Sequence, residues 1–334
     1  MKQRVLVTGG AGYVGNRLVP RLLESGYTVV VYDNCYFRAE TLPQNHPNLT
    51  LIKGDIRDIQ QFSKALHQVN AVLHLACISN DPSFELNEAL SKSINYDCFE
   101  PMVLAAKTAG VSRFVYCSSS SVYGVSALPE VTEEAPLVPL TLYNRYKGLC
   151  EPLLLYHKSA DFITTVIRPA TICGVSPRMR FDLTVNILTC HGFLKGMITV
   201  FGGQQKRPNL HIEDMCDAYL LLLEADPTLI QGETFNIGQE NLPIYDIAIQ
   251  VKEVIEKNFP EKKPITLTVQ PSQDLRSYHI NSDKIARILK FRPKRTIQDA
   301  ILDICRAFER GDFKDALVND WYYNVRYLKA AEIA

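Results

Sequence analysis

The run Arg4-Val5-Leu6-Val7-Thr8 is apolar enough for a buried strand, and it passes directly into Gly9-Gly10-Ala11-Gly12-Tyr13-Val14-Gly15. Leu18, Val19, Leu22 and Leu23 then recur at helical spacing. A strand, a glycine turn and a helix in immediate succession constrain the fold more than any other feature of the chain. The glycines permit a tight turn, let a phosphate approach the backbone, and allow the helix to pack closely on the strand with its N-terminus facing the anion. A second apolar strand, Tyr27 to Tyr32, ends in Asp33-Asn34. At that point of a dinucleotide site an acidic side chain accepts hydrogen bonds from the adenosine ribose and repels a 2′-phosphate, which predicts NAD over NADP.

Short buried strands alternate with helical patterns through the first half. Leu49 to Ile52, Ala71 to Ala76 and Arg113 to Ser118 read as strands, with helices around residues 60–68 and 86–109. The expected fold class is therefore α/β, a Rossmann-type doubly wound parallel sheet with ligands at the carboxyl ends of its strands. Polar groups at three of those ends, Asp55-Ile56, Cys77-Ile78-Ser79 and Ser118 to Ser121, converge on one crevice. From about residue 175 prolines punctuate shorter elements, which predicts a smaller C-terminal substrate-binding lobe. The expected division is 1–174 for the dinucleotide domain and 175–334 for the lobe. The two interleave, because Thr234 to Ile237 reads as a strand returning to the main sheet near 232–238.

Tyr143 and Lys147 stand four residues apart on an expected helix, so both heads lie on one face. A phenol titrates near ~10, and bringing it to about 7 takes roughly 4 kcal/mol. One cation at ~6 Å supplies about 2.8 kcal/mol at an effective dielectric of ~20. Lys147 is one such cation and an oxidised nicotinamide a second, so the pair makes chemical sense beside a dinucleotide. Tyr146 is the competing phenol, but it points to a different face and is assigned to packing.

Lys plus Arg and Asp plus Glu both number 36 among 334 residues, so no global field recruits nucleic acid or a membrane surface. The nine cysteines are scattered with no pair at metal-ligand spacing, and no metal site is expected. Reduced buried thiols, the absence of an apolar run of about eighteen residues, and a first strand that starts at Arg4 lead to the expectation of a cytoplasmic protein without a signal peptide.

Thr8 to Gly15, Asp33-Asn34, Gly54-Asp55-Ile56, His74-Leu75-Ala76, Asn95, Ser118 to Gly124, Tyr143 with Lys147, and Arg168-Pro169 together resemble the extended short-chain dehydrogenase/reductases. More narrowly they resemble the NAD-dependent sugar-nucleotide epimerase/dehydratase branch, closest in pattern to UDP-hexose 4-epimerases. Arg207 followed by His211-Ile212-Glu213-Asp214, and Phe235-Asn236-Ile237-Gly238, extend the likeness over nearly the whole chain. The resemblance implies that Gly9, Gly12, Tyr13 and Val14 hold the pyrophosphate, Asp33 and Asn34 the adenosine ribose, and Asp55 with Ile56 the adenine. Leu75, Ala76, Cys77, Asn95 and Pro169 would line the cofactor on its nicotinamide side. Ser119 would hydrogen-bond the reacting hydroxyl or ketone. Tyr143 would be the general base and acid, and Lys147 would hold the nicotinamide ribose. Tyr123, which lies close to the sugar in the family, is read as a loop anchor.

A nucleoside-diphosphate sugar needs cations for its two phosphates, and the same resemblance offers Arg207, with Arg276 as a second arginine and Asn186 near the nucleotide. Departures from the family pattern narrow the chemistry. Hexose 4,6-dehydratases place Asp-Glu after the catalytic Ser or Thr, whereas Ser120-Ser121 follow Ser119 here, and the cysteine of C3 and C5 inverting enzymes is absent from that position. Ala170-Thr171 replaces the asparagine of many 4-epimerases. The expected function is NAD-dependent C4 epimerisation by a homodimer joined through the helices that carry Asn95 to Ala109 and Tyr143 to Tyr156. A 4-ketosugar-nucleotide reductase or dehydratase is the alternative within the family, and a non-catalytic NAD-binding protein the alternative outside it.

Overall fold

The computed structural model describes residues 3–272 and 277–333. Twelve strands run in chain order: β1 (Arg4–Thr8), β2 (Thr28–Asp33), β3 (Leu49–Lys53), β4 (Ala71–His74), β5 (Arg113–Cys117), β6 (Ile163–Pro169), β7 (Thr171–Cys173), β8 (Met197–Phe201), β9 (Lys206–His211), β10 (Glu233–Ile237), β11 (Glu240–Pro243) and β12 (Thr266–Gln270). Seven form one parallel sheet in the order β10-β6-β5-β4-β1-β2-β3. The chain winds outward from β1 to β3 and then crosses to β4 on the other side of β1. That reversal opens a crevice at the carboxyl ends of β1 and β4, where open α/β sheets bind their ligands.

Both faces of this sheet are covered, and the residues alternate between them. Val5, Val7, Val29, Val31, Leu73 and Val115 face one core, which Leu18, Leu22 and Leu222 complete. Leu6, Val30, Tyr32, Val72, Phe114 and Tyr116 face the other, which is closed by Phe62, Phe99, Met102 and Leu154. Burial on both sides explains why the strands read as continuous apolar runs, and each fully buried Leu, Val or Phe contributes about 1.5–3 kcal/mol.

The smaller lobe holds a three-stranded sheet, β11-β9-β7, and the parallel pair β8 and β12. Val185, Ile198, Val251 and Ile301 form its own core. The chain passes between lobes at Ala170, which joins β6 to β7, and again at Gly238, which follows β10. These crossings touch, since the Ala170 amide donates to the Ile237 carbonyl at 2.8 Å. A Cβ on Gly238 would stand 3.3 Å from that of Ala170.

The helix expected over 86–109 is interrupted. Glu88–Lys92 and Phe99–Thr108 are α-helical, but Ser93–Asp97 between them is a π turn. Pro101, lacking an N–H, leaves the Asp97 carbonyl without its helical partner, and the widened turn carries Asn95 to the main chain of Ile78. There its side-chain oxygen accepts from the Ile78 N–H at 2.8 Å and its nitrogen donates to the Ile78 carbonyl at 2.9 Å.

His74 ends β4 against the glycine turn, its Nδ1 2.7 Å from Thr8 Oγ1. Thr8 Oγ1 also accepts from the Ala76 N–H at 3.3 Å. Burial, with a smaller contribution from the Lys147 charge, holds the imidazole far below its ordinary 6.5, at about 3. The unfolded chain therefore takes up a proton that the folded protein refuses. Stability from this group is complete above pH 6.5 and falls as the pH drops toward 3. Denaturant titrations between pH 7 and 4 should show a loss of about 1.4 kcal/mol per pH unit below ~6. His74→Gln should flatten that slope, and an unchanged slope would dissociate acid lability from His74.

Candidate active site

A cavity of about 500 Å³ opens along the carboxyl ends of β1, β4 and β5 and reaches into the smaller lobe. Gly9, Gly12, Tyr13 and Val14 form its floor. Gly9 has φ +71°, and a Cβ there would meet the Ala76 nitrogen at 2.7 Å, so no side chain fits between β1 and β4. A Cβ on Gly12 would meet only the Gly9 carbonyl, at 3.1 Å, leaving its other side open for an approaching ligand. The helix Gly15–Glu24 begins here with no side-chain cap at Val14 and no acidic residue in its first turn. Its positive end is thus uncompensated by side chains and fits a pyrophosphate.

Asp33 lies at the end of β2 in the cavity wall, beside Asn34 and Ile56. Its carboxylate accepts from the Ala11 N–H at 3.0 Å and the Cys35 N–H at 2.8 Å, which fixes its orientation. Burial raises its pKa above the ordinary carboxylate value, and these two backbone bonds oppose the rise. Each oxygen has spent one acceptor position, leaving lone pairs to receive ribose hydroxyls.

Leu75, Ala76 and Cys77 after β4 and Pro169 at the end of β6 line the middle of the cavity, together with Ser119, Tyr143 and Lys147. Thr141 caps the helix Leu142–Tyr156, its hydroxyl accepting from the Asn144 N–H and donating to Asp81 Oδ1 at 2.7 Å. One helical turn then sets Tyr143 and Lys147 in the same wall. Lys147 is buried, with Nζ donating to the Cys117 carbonyl at 2.8 Å and lying 5.1 Å from the Tyr116 ring centre. Tyr146 packs elsewhere, 5.8 Å from Phe84 and 5.2 Å from Tyr96.

Ser119 caps the tight turn Ser120–Tyr123 and its hydroxyl lies 2.7 Å from that of Ser121. Ser121 in turn donates to Asn144 Oδ1. A chain of three polar groups thus anchors the Ser119 hydroxyl at the cavity edge. Tyr123 is a buried anchor, donating to Asn236 Oδ1 at 2.7 Å and receiving Arg168 at 2.6 Å.

Desolvation lifts the Tyr143 phenol well above its ordinary value, and Cys77, Cys117 and Asp81 add to the rise. The cation opposing them is Arg180, which sequence reading did not single out. Both arms of its fork engage Asp182, at 2.8 and 3.0 Å, and a further nitrogen reaches Ser79 Oγ at 3.1 Å. The surroundings of Tyr143 therefore favour the neutral phenol.

Arg207, on β9, is buried in the far wall 5.1 Å from the Tyr278 ring centre. Three expected residues fall outside the wall. Asp55 is turned to Arg57, with Nη2 to Oδ2 2.6 Å, so the cavity meets its neighbours Gly54 and Ile56 instead. Asn95 acts on the Ile78 backbone. Asn186 is wholly buried, accepting from the Gly174 N–H at 3.1 Å and donating to the Tyr13 hydroxyl at 3.1 Å and the Arg180 carbonyl at 2.9 Å. It supports Tyr13 from behind, where the tertiary path of the chain, not its sequence neighbourhood, has put it. Arg276 lies outside the described residues. Arg178, Arg180, Asp182 and Asn324 line the wall without having been anticipated. The alternating Arg178-Met179-Arg180 was the one available signal for them.

A parallel sheet with a glycine cradle at its switch point, an acidic residue closing β2 and a Ser-Tyr-Lys set in one cavity defines a nicotinamide-dependent dehydrogenase-type enzyme. The model of the NAD dependent epimerase/dehydratase family matches residues 5–238, and the chain belongs to that family. It is an NAD-dependent enzyme of the extended short-chain dehydrogenase/reductase type. It is 28% identical over 326 residues to a UDP-glucose 4-epimerase of Lactobacillus helveticus, covering 90% of this chain and 94% of that one. It is 27% identical to UDP-glucuronic acid decarboxylase 2 of Arabidopsis thaliana, covering 93% of this chain and 69% of that one. The crystal structure of the dTDP-glucose 4,6-dehydratase DesIV from Streptomyces venezuelae superimposes with a TM-score of 0.81 at 23% identity, covering 96% of this chain and 99% of that one. These three carry three different reactions, so overall likeness does not choose among them and the side chains must.

Asp33→Asn should raise affinity for NADP relative to NAD by about tenfold or more, since a charge facing the 2′-phosphate is removed. Titration calorimetry with both dinucleotides reads this ratio; no change would mean that the Asp33 charge does not act on the ribose.

Proposed function

We propose that the protein is a nucleotide-sugar 4-epimerase. The observation that carries this reading is the cavity wall at Ser119. Ser119, Tyr143 and Lys147 are present, but the two residues after Ser119 offer no acid and base. Ser120 is buried, and the Ser121 hydroxyl is committed to Asn144. Elimination of water needs an additional proton donor and acceptor at the sugar, whereas epimerisation at one carbon needs one proton transferred reversibly.

Ser119 hydrogen-bonds the C4 hydroxyl and orients it toward Tyr143. Bound NAD supplies reversible hydride acceptance at the carbon carrying that hydroxyl. Tyr143 removes the hydroxyl proton as the C4 carbon is oxidised, and returns it after the ketosugar has turned over, so that no net redox change results. Lys147 holds the cofactor ribose from the wall it shares with Tyr143. Arg207 receives the diphosphate of the substrate. The dinucleotide is held by the glycine floor, Asp33, Asn34, Ile56, Leu75, Ala76, Cys77 and Pro169, with Asn186 supporting the floor, Asn95 the segment after β4, and Asp55 outside the wall. We assign the protein to the cytoplasm, where its nine unbridged thiols stay reduced. Among the described residues no helix is long and apolar enough to cross a membrane.

A panel of UDP-, dTDP-, CDP- and GDP-sugars, with product stereochemistry read by NMR, tests the reaction. The expected result is C4 inversion with no change at the reduced-nicotinamide wavelength. Dependence on added NADH would instead identify a ketosugar reductase. Tyr143→Phe should lower kcat by about 10³-fold, and full activity in that variant would end the enzymatic reading.

We also propose a homodimer through the neighbouring helices Phe99–Thr108 and Leu142–Tyr156, which leave Leu104, Leu149 and Tyr156 exposed, the last by 82%. Sedimentation should show a monomer when Leu104→Glu and Leu149→Glu are combined; a species of unchanged mass would place the contact elsewhere.

A further inference from the structure

Arg178 is 1% exposed and lies in the wall of the main cavity. One guanidinium nitrogen donates to Asn324 Oδ1 at 2.7 Å and the other to the Met179 carbonyl at 3.1 Å. Its Nε is buried with no hydrogen-bond partner among the described residues. The Phe37 ring centre lies 4.1 Å from Cζ and that of Trp321 5.5 Å. Asp182 is near enough to act on it, but both of its oxygens are bonded to Arg180. Burial, reinforced by the Arg180 charge, draws Arg178 down to about 9. A cation taken out of water without a hydrogen-bonded anion is costly, and proteins keep such groups where a ligand completes them.

Its surroundings identify the anion. Two residues before it, the Ser176 hydroxyl donates to the Tyr13 carbonyl at 2.7 Å, which ties this segment to the glycine floor. Phe37, on the other side, belongs to the loop that follows Asp33 and Asn34. Between the glycine turn and the ribose-binding carboxylate, a dinucleotide presents its pyrophosphate. Of the four cations in the described wall, Lys147 is fixed on Cys117 beside Tyr143, Arg180 is neutralised by Asp182, and Arg207 stands against Tyr278 on the far side. The glycine turn itself contributes N–H groups and a helix end but no charged side chain.

We propose that Arg178 is the counter-charge for the pyrophosphate of bound NAD, presented by Asn324, so that the C-terminal part of the chain and the glycine turn grip the cofactor from opposite sides. The proposal rests on NAD binding and is independent of which sugar reaction follows. Asn324 fixes the guanidinium while its own N–H donates to Asp182 at 3.2 Å and its side chain to Ser79 at 3.2 Å. The same residue thereby joins the ends of three segments around the cofactor.

The test uses the full-length protein and reads binding without turnover. NAD retained through gel filtration is quantified by chromatography after denaturation, and NAD and UDP affinities are measured by calorimetry. Arg178→Met should weaken NAD binding by about thirtyfold or more, as expected for removing one partner of a buried charge pair, with UDP affinity of the NAD-loaded protein within about twofold. Arg178→Lys, which keeps the charge but not the fork, should lie between wild type and Arg178→Met. In melting experiments without ligand, Arg178→Met should be no less stable than wild type, because an uncompensated buried cation is gone, while the rise produced by saturating NAD shrinks. Should Arg178→Met not fold, Asn324→Ala carries the test, with a fall in NAD affinity expected there too. Undiminished NAD affinity in the folded variants overturns the proposal. So does a loss confined to UDP, which would assign Arg178 to the sugar nucleotide. Lowered ligand-free stability with an unchanged NAD-induced rise would make it a structural residue and overturn the proposal as well. A protein that shows the NAD losses yet epimerises nothing would retain this assignment and lose only the proposed function.

Discussion

The contact on which the remainder depends is the approach of the first glycine to the strand beside it. Gly9 stands where β1 ends, with Ala76 so close that a Cβ would reach its nitrogen at 2.7 Å. Thr8 and His74, the last residues of the two strands, are joined by a 2.7 Å hydrogen bond, and Thr8 also receives the Ala76 N–H. The parallel pairing of β1 with β4 and the turn that begins the Gly15–Glu24 helix therefore share one junction. The cofactor floor, the polar ends of β4 and β5, and the helix carrying Tyr143 are all placed relative to it.

A second constraint is desolvation within the cavity. The wall collects Tyr143, Lys147, Arg178, Arg180, Asp182 and Asp33, most of them buried or nearly so. Each pays a different electrostatic consequence of the same burial. Tyr143 is driven to its neutral form, Asp33 is held by two backbone N–H groups, and Arg180 and Asp182 satisfy one another. Among the described residues Arg178 has no carboxylate hydrogen-bonded to it, Asp182 being engaged by Arg180. Burial thus sets the charge state of the wall as a whole, and the proposed cofactor contact at Arg178 follows from it.

How much of this was legible in the chain differs by residue type. Gly9, Gly12, Asp33, Ser119, Tyr143 and Lys147 sit in local motifs whose spacing already specifies a strand end, a helix N-terminus or one helical face. Asp55 shows where such reading is insufficient, because its carboxylate is taken by Arg57 two residues away. Asn186 and Asn95 show the same for side chains whose partners, Tyr13 and Ile78, lie far off in sequence. Arg178 and Asn324 are 146 residues apart and share one hydrogen bond, for which no periodicity gives a sign.

The sequence by itself determined the parallel sheet, the glycine cradle at its switch point and the face shared by Tyr143 and Lys147. These depend on apolar periodicity and on backbone conformations that only certain residues adopt, both of which are local. The tertiary structure alone decided that Asn324, near the C-terminus, and the Arg178 to Asp182 segment share one wall of the cavity. It also decided which charges are paired there. Pairing depends on distance and burial in space, and these are fixed only when segments remote in the chain are packed together.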